Sequence, residues 1–250
     1  MTSPGISMRA DLLLVQRGIA ASRERARAMI ESGTVLVDGV AMTRPARRLA
    51  TDVTITTTKD DLAWVSRAAL KLIGGLDAFP RIDPKDRYCV DIGASTGGFT
   101  EVLLARGARH VVAVDVGRDQ LHPRLAGDAR VESRQGVNAR HLKAADFSQP
   151  PELIVCDASF ISLTKVLPAV LDIAAPGAGL IALVKPQFEV GRGAIGKGGI
   201  VRDQAAAEGA LAGVADWLVT VAGWRLVGTA PSPIKGQDGN REFLLAGRKD

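Results

Sequence analysis

An apolar run, Tyr88 to Ile92, gives way to Gly93-Ala94-Ser95-Thr96-Gly97-Gly98-Phe99, and a helical pattern, Thr100 to Arg106, follows at once. Strand, glycine loop, helix is the feature that most limits what this chain can become. Glycine reaches positive φ and lets a ligand approach the backbone. The helix start offers N–H groups without partners. A second run, His110 to Val114, ends in Asp115, where a carboxylate can accept both hydroxyls of a ribose. Further on, Leu153–Cys156 stops at Asp157 and Leu180–Val184 stops at Lys185. Apolar runs that alternate with helical patterns predict an α/β fold, a doubly wound Rossmann-like sheet. Such sheets bind ligands beyond the carboxyl ends of their strands, where Asp115, Asp157 and Lys185 all fall. The last two runs, Arg225–Thr229 and Arg241–Leu245, have no helix between them and predict an antiparallel pair, with Glu242 opening the final strand.

Dinucleotide sites use Gly-x-Gly-x-x-Gly. Here the spacing is Asp91-x-Gly93-x-x-x-Gly97-Gly98-Phe99, with the acid inside the strand. That spacing and the antiparallel ending resemble class I S-adenosylmethionine (SAM) methyltransferases rather than nicotinamide enzymes. The resemblance implies SAM as cofactor, held by Asp91, Gly93, Ala94, Ser95, Thr96, Gly97, Gly98 and Phe99 on the glycine loop and by Asp115 and Val116 at the ribose. Asn138 stands near the adenine on this reading, or caps a local helix. Gly191-Arg-Gly-Ala-Ile-Gly196-Lys197-Gly198 is a near match to a phosphate-binding P-loop. Gly198 replaces the Ser or Thr that would hold magnesium, and no buried strand leads into the segment, so it reads as a mobile loop over a substrate groove.

Charge singles out the other end of the chain. The net charge is +5, and residues 1–50 contribute most of it, with eight arginines against four acids. After a tail at residues 1–7, expected to be disordered, Arg9–Arg17 reads as a short helix, and Ser22 caps a second helix buried through Ala26, Met29 and Ile30. Val35–Val37, Asp38-Gly39 and Val40-Ala41 predict a tight hairpin, and Val53–Ile55 a further short strand. Arginines at a helix start beside a small hairpin suit a phosphate backbone. The residues in question are Arg9, Arg17, Ser22, Arg23, Arg25 and Arg27, with Arg67 beyond the connector. Arg9-Ala-Asp-Leu-Leu-Leu-Val, Ala21-Ser-Arg-Glu-Arg-Ala and Val35-Leu-Val-Asp-Gly resemble the small S4 RNA-binding domain. The expected division is an S4-like domain at 8–58, a linker at 59–66 and a SAM-dependent methyltransferase domain at 67–250.

Two cysteines, Cys89 and Cys156, lie inside buried strands and read as small core residues. Three scattered histidines with them make no metal-ligand spacing, so no metal is expected. No apolar run reaches membrane-spanning length and no signal-peptide core is present, so the expected location is cytoplasmic, without stable membrane association.

Over nearly its whole length the chain resembles the TlyA family, an S4 domain fused to an FtsJ-type methyltransferase. The matching pieces are Ser66-Arg-Ala-Ala-Leu-Lys-Leu, Asp91-Ile-Gly-Ala-Ser-Thr-Gly-Gly-Phe-Thr, Asp157-Ala-Ser-Phe-Ile-Ser, Lys185-Pro-Gln-Phe-Glu and Gly239-Asn-Arg-Glu-Phe. The resemblance implies an rRNA 2'-O-methyltransferase acting on cytidines of the 30S or 50S ribosomal subunit, or both. It carries a Lys-Asp-Lys-Glu tetrad onto Lys71, Asp157, Lys185 and Glu242. A ribose hydroxyl is a weak nucleophile, so the chemistry needs alignment and a proton acceptor. Lys185 is expected to deprotonate it, aided by the mutual repulsion of Lys71 and Lys185, with Asp157 and Glu242 orienting the lysines. Lys71 itself falls off the apolar stripe of its helix and reads as exposed. Two rival readings are a membrane-active haemolysin-like protein and a non-catalytic ribosome-binding factor. A base methyltransferase would carry a double proline where Asp157-Ala-Ser-Phe stands. The oligomeric state is not legible.

Overall fold

The computed structural model describes residues 7–20, 22–31, 33–57, 64–191, 195–196, 198–221, 223–236 and 238–250. They form two compact units that divide between Trp64 and Val65. Residues 1–6 of the expected tail at 1–7, most of the expected linker, residues 59–63, and part of the glycine-rich segment, residues 192–194 and 197, lie outside the described residues.

The first unit runs β1 (Ser7–Arg9), α1 (Ala10–Gln16), α2 (Arg23–Glu31), β2 (Val35–Val37), β3 (Val40–Ala41), β4 (Arg48–Ala50) and β5 (Ile55–Thr57). Ala10, Leu13, Leu14, Ala26, Met29 and Ile30 make one helical stripe each and close on Val35, Val37 and Leu49. The Asp38-Gly39 turn has φ of 50° and 81°, the left-handed pair that a two-residue hairpin requires. Two short strands were not legible in the sequence: β1 pairs antiparallel with β4. Ser7 therefore belongs to a strand rather than a tail. The third strand of the β3-β2-β5 sheet begins at Ile55, two residues later than expected.

The second unit runs α3 (Ala68–Ala78), β6 (Tyr88–Ile92), α4 (Gly98–Ala105), β7 (His110–Asp115), α5 (Pro123–Ala126), β8 (Val131–Gln135), β9 (Leu153–Cys156), α6 (Leu163–Val166), α7 (Pro168–Asp172), β10 (Gly179–Val184), α8 (Pro186–Glu189), α9 (Gln204–Thr220), β11 (Trp224–Pro231) and β12 (Phe243–Lys249). Its sheet has the order β11-β12-β10-β9-β6-β7-β8. The strands from β10 to β8 are parallel, and β12 runs antiparallel to both β10 and β11. From β6 the chain winds outward to β8, then returns across the sheet to β9. The crevice opens at that reversal, between the loops after β6 and β9. β6, β9 and β10 are buried along their entire length, because helices cover both faces.

Three expectations need correction. The helix expected from Ser162 to about Ile173 is two short helices, because Pro168 lacks the N–H and crowds the preceding turn. The final strand begins at Phe243, so Glu242 stands just before it. Lys71 is buried, not exposed. α3 carries Gly74 and Gly75; a Cβ on Gly75 would stand 3.0 Å from Ile181 on β10. The helix therefore lies tight on the sheet, and Lys71, one turn back on the same face, is carried in with it.

Candidate active site

The sheet register fixes where the chemistry sits. Ile92 of β6 pairs with Cys156 of β9, so Gly93 and Asp157 are the first residues beyond two adjacent strand ends. Val184 of β10 pairs with Phe243 of β12, so Lys185 and Glu242 emerge side by side at the same edge. One cavity there is lined by Lys71, Asp157, Lys185 and Glu242 together with Gly93–Thr96, Gly98 and Phe99 of the glycine loop. The structure thus gathers four residues that come from α3 and three different strand ends.

They are joined as two ion pairs. Lys71 Nζ stands 2.6 Å from Glu242 Oε2, and Lys185 Nζ stands 2.7 Å from Asp157 Oδ1. Lys185 also donates to Ser159 Oγ at 2.7 Å and to the Asp157 carbonyl at 3.2 Å. Each cation sits on its own carboxylate, Lys71 on Glu242 and Lys185 on Asp157. Neither Asp157 Oδ1 nor Glu242 Oε2 has an aligned hydrogen-bond donor among the described residues. Both contacts are charge contacts, and both oxygens keep a lone pair for a further donor.

A second cavity adjoins the first. Asp115, Val116, Asn138 and Arg140 line it, and Gly93, Ser95, Asp157, Ser159 and Phe160 line both. The Asp115 carboxylate accepts Ser95 N–H at 2.8 Å and Gly117 N–H at 2.7 Å, which tie the two loops around it. Asn138 caps the short 3-10 turn Ala139–His141 through Arg140 N–H while still reaching the cavity. Gly93 has φ of 80°, and a Cβ there would stand 2.9 Å from Ala158 Cα. Only glycine lets the two strand-end loops touch. Two residues expected at the cofactor do not line either cavity. Asp91 is fully buried and takes the Thr100 hydroxyl at 2.7 Å. Gly97, in the left-handed region, caps α4.

Several lining residues went unsingled in the sequence. Ser159 and Phe160 sit inside the Asp157-Ala-Ser-Phe motif, and Phe188 inside Lys185-Pro-Gln-Phe. Phe160 is 91% exposed as a residue, its ring packs on Phe188 at 5.2 Å between centroids, and its backbone has φ of 65°. A bulky residue in that region is strained, and such strain clusters at ligand sites. Asn240 is buried too. It accepts Val201 N–H at 2.9 Å and donates to the Gly199 carbonyl at 3.0 Å, fastening the end of the glycine-rich segment beside the tetrad. Burial pushes Cys89 and Cys156 up to about 12, which leaves both thiols inert.

In the first unit the arginines divide by task. Arg9 and Arg23 both bond Asp11. Arg17 donates to the Val53 and Thr51 carbonyls and braces the turn before β5. Arg27 makes an exposed contact with Glu31 at 3.8 Å. Ser22 precedes α2; the Arg25 side chain lies outside the described residues. Arg67, half-buried, precedes α3 in the second unit.

A mostly parallel seven-stranded sheet ending in an antiparallel hairpin, with a glycine loop after its central strand, defines the class of SAM-dependent methyltransferases. The comparisons carry this further. Residues 64–249 match the FtsJ-like methyltransferase family and residues 8–55 the S4 domain. Over 238 residues, 95% of this chain and 88% of the relative, the chain is 46% identical to the 16S/23S rRNA (cytidine-2'-O)-methyltransferase TlyA of Mycobacterium tuberculosis. It is 39% identical to Hemolysin A of Brachyspira hyodysenteriae over 95% of this chain and 98% of the relative. A chain from Streptococcus thermophilus, solved under the name hemolysin, superposes with a TM-score of 0.78 at 39% identity, covering 97% of this chain and 88% of that one. The chain belongs to the TlyA family of FtsJ-like methyltransferases, enzymes that use SAM as methyl donor.

Proposed function

We propose that this protein methylates the 2'-hydroxyl of a cytidine in ribosomal RNA, that its first unit supplies affinity for the RNA, and that it works in the cytoplasm on ribosomal subunits. The observation that carries the reading is the convergence of Lys71, Asp157, Lys185 and Glu242 on one cavity beside the glycine loop. The name of the Mycobacterium tuberculosis relative supports the choice of a cytidine 2'-oxygen in rRNA.

The residues present suit SAM. Asp115, half-buried with lone pairs to spare, would take the ribose hydroxyls; Gly93, Ser95 and the start of α4 would face the amino-acid end. SAM supplies an electrophilic methyl on a sulfonium. The protein's own task is the hydroxyl. Lys185 arrives with Asp157, Ser159 and a carbonyl around its Nζ, so it is held as a donor rather than standing free. Lys185 and Asp157 then act as one acid–base unit. With SAM bound, Asp157 would take the ammonium proton and the freed Lys185 amine would take the proton of the hydroxyl, while the methyl–sulfur bond breaks as the oxygen–methyl bond forms and the thioether leaves. Lys71 and Glu242 line the same cavity as a second ion pair and hold its charge balance. Phe160, exposed at its mouth, offers a face on which a base can stack.

The test is transfer of labelled methyl from SAM to isolated 30S and 50S subunits by native protein and by Lys185→Met. A ribose modification made by the native enzyme, and reduced about a hundredfold or more in the variant while SAM still binds, is the expected result. Near-native turnover by the variant removes Lys185 from the reaction. No transfer to either subunit removes the rRNA reading. The membrane-active alternative gains no support: among the described residues no helix is long and apolar enough to cross a membrane.

A further inference from the structure

Asp11 is the only acidic side chain among the described residues of the first unit with no exposure at all. Its Oδ1 takes Arg9 Nε at 2.9 Å and Leu12 N–H at 3.1 Å; its Oδ2 takes Arg9 Nη2 at 2.9 Å and Arg23 Nε at 3.0 Å. Arg9 closes β1 and Arg23 opens α2, so one carboxylate draws together two arginines from different elements. Their side chains remain 38% and 53% exposed. Arg9 Nη1 and both terminal nitrogens of Arg23 have no partner among the described residues. Two guanidiniums reaching the same oxygen would repel each other without the charge between them. A loose arginine also loses side-chain entropy when it binds, and these two have lost part of it beforehand. A well-packed apolar residue often serves a buried position as well as a charged one.

We infer that Asp11 is a positioning residue that presents the free edges of Arg9 and Arg23 as one seat for an RNA phosphate. The inference rests on the reading of the first unit as an RNA-binding domain, and names how that unit grips the backbone. Its sign is unusual. Asp11→Asn deletes a negative charge from a face that meets a polyanion. If the arginines acted only as charges, affinity would rise; if Asp11 orients them, affinity falls.

The experiment measures binding of a short labelled RNA hairpin to the full-length chain across a salt series. The chains compared are native, Asp11→Asn, Arg23→Lys and the triple variant Arg9→Ala, Arg23→Ala, Arg27→Ala. Circular dichroism and a thermal melt report folding. Asp11→Asn is expected to bind about tenfold more weakly, with a shallower salt dependence, because a phosphate contact has been lost. Arg23→Lys keeps the charge, loses the fork and is expected to weaken binding in the same direction. Unchanged or tighter binding by folded Asp11→Asn overturns the inference. Should Asp11→Asn fail to fold, native-like binding by Arg23→Lys overturns it instead. Native-like binding by the triple variant removes the RNA-binding reading of the unit itself, a different failure from that of Asp11.

Discussion

Replacing Asp91 by Asn changes stability in a way that depends on pH, and the size follows from its surroundings. Asp91 is fully buried in β6, takes one hydroxyl from Thr100, and leaves Oδ1 without a partner among the described residues. Burial, reinforced by the nearby Asp157 carboxylate and opposed by the Thr100 bond, pushes its pKa from 3.8 up to about 7. Between those values the folded chain holds a proton that the unfolded chain has released. Stability therefore falls as pH rises through the interval and levels off above it. At about 1.4 kcal/mol per unit, a rise of roughly three units sets a ceiling of about 4 kcal/mol near pH 8. Asn removes that charge but leaves an amide N–H where the unpartnered oxygen was, at a cost of about 1–3 kcal/mol. Without SAM, Asp91→Asn is expected to be about 2 kcal/mol more stable than native near pH 8, a shift of roughly 4–8 °C in Tm, and no more stable near pH 5. Fluorescence of Trp217 and Trp224, both in the second unit, follows the unfolding. A constant loss of stability at every pH would refute the reasoning.

Gly93→Ala is expected to destabilise the protein by about 2 kcal/mol or more and to weaken SAM binding, since the new Cβ has nowhere to go between φ of 80° and the Ala158 backbone; thermal unfolding and calorimetry read the two effects. Asn240→Ala removes both bonds to Gly199 and Val201. Faster hydrogen exchange at Val201 and slower methyl transfer are expected, with SAM affinity unchanged, and a native-like exchange pattern would argue against the fastening role. Removing residues 1–58 is expected to leave SAM binding intact and to abolish rRNA methylation, which a truncated chain in the methyl-transfer assay checks directly.

Four strands of the parallel sheet were legible because β6, β7, β9 and β10 are apolar runs, three of which stop at Asp115, Asp157 and Lys185; β8, Val-Glu-Ser-Arg-Gln, has no such run. Asp157 and Lys185 were legible as charged residues at strand ends, but their grouping with Lys71 and Glu242 came only from motif resemblance, and the geometry of the four was not legible. Which lysine meets which carboxylate depends on β12 inserting between β10 and β11, a choice of sheet order that no local pattern announces. Lys71 misled for a related reason. Its helix stripe is apolar, but Gly75 brings α3 close onto Ile181 and Leu244 of the sheet, so the buried face is wider than side-chain hydropathy indicates. β1 and β4 were missed because three-residue strands carry too few alternations to show a period.

The two cavities at the crevice share Gly93, Ser95, Asp157, Ser159 and Phe160 as a common partition. A small molecule anchored in one chamber therefore leans on the same side chains that shape its neighbour, so occupancy of either is felt in the other. An inhibitor confined to a single chamber competes with one ligand while perturbing the second. A bisubstrate compound threaded past Gly93 would collect both interactions without the entropy of bringing two molecules together.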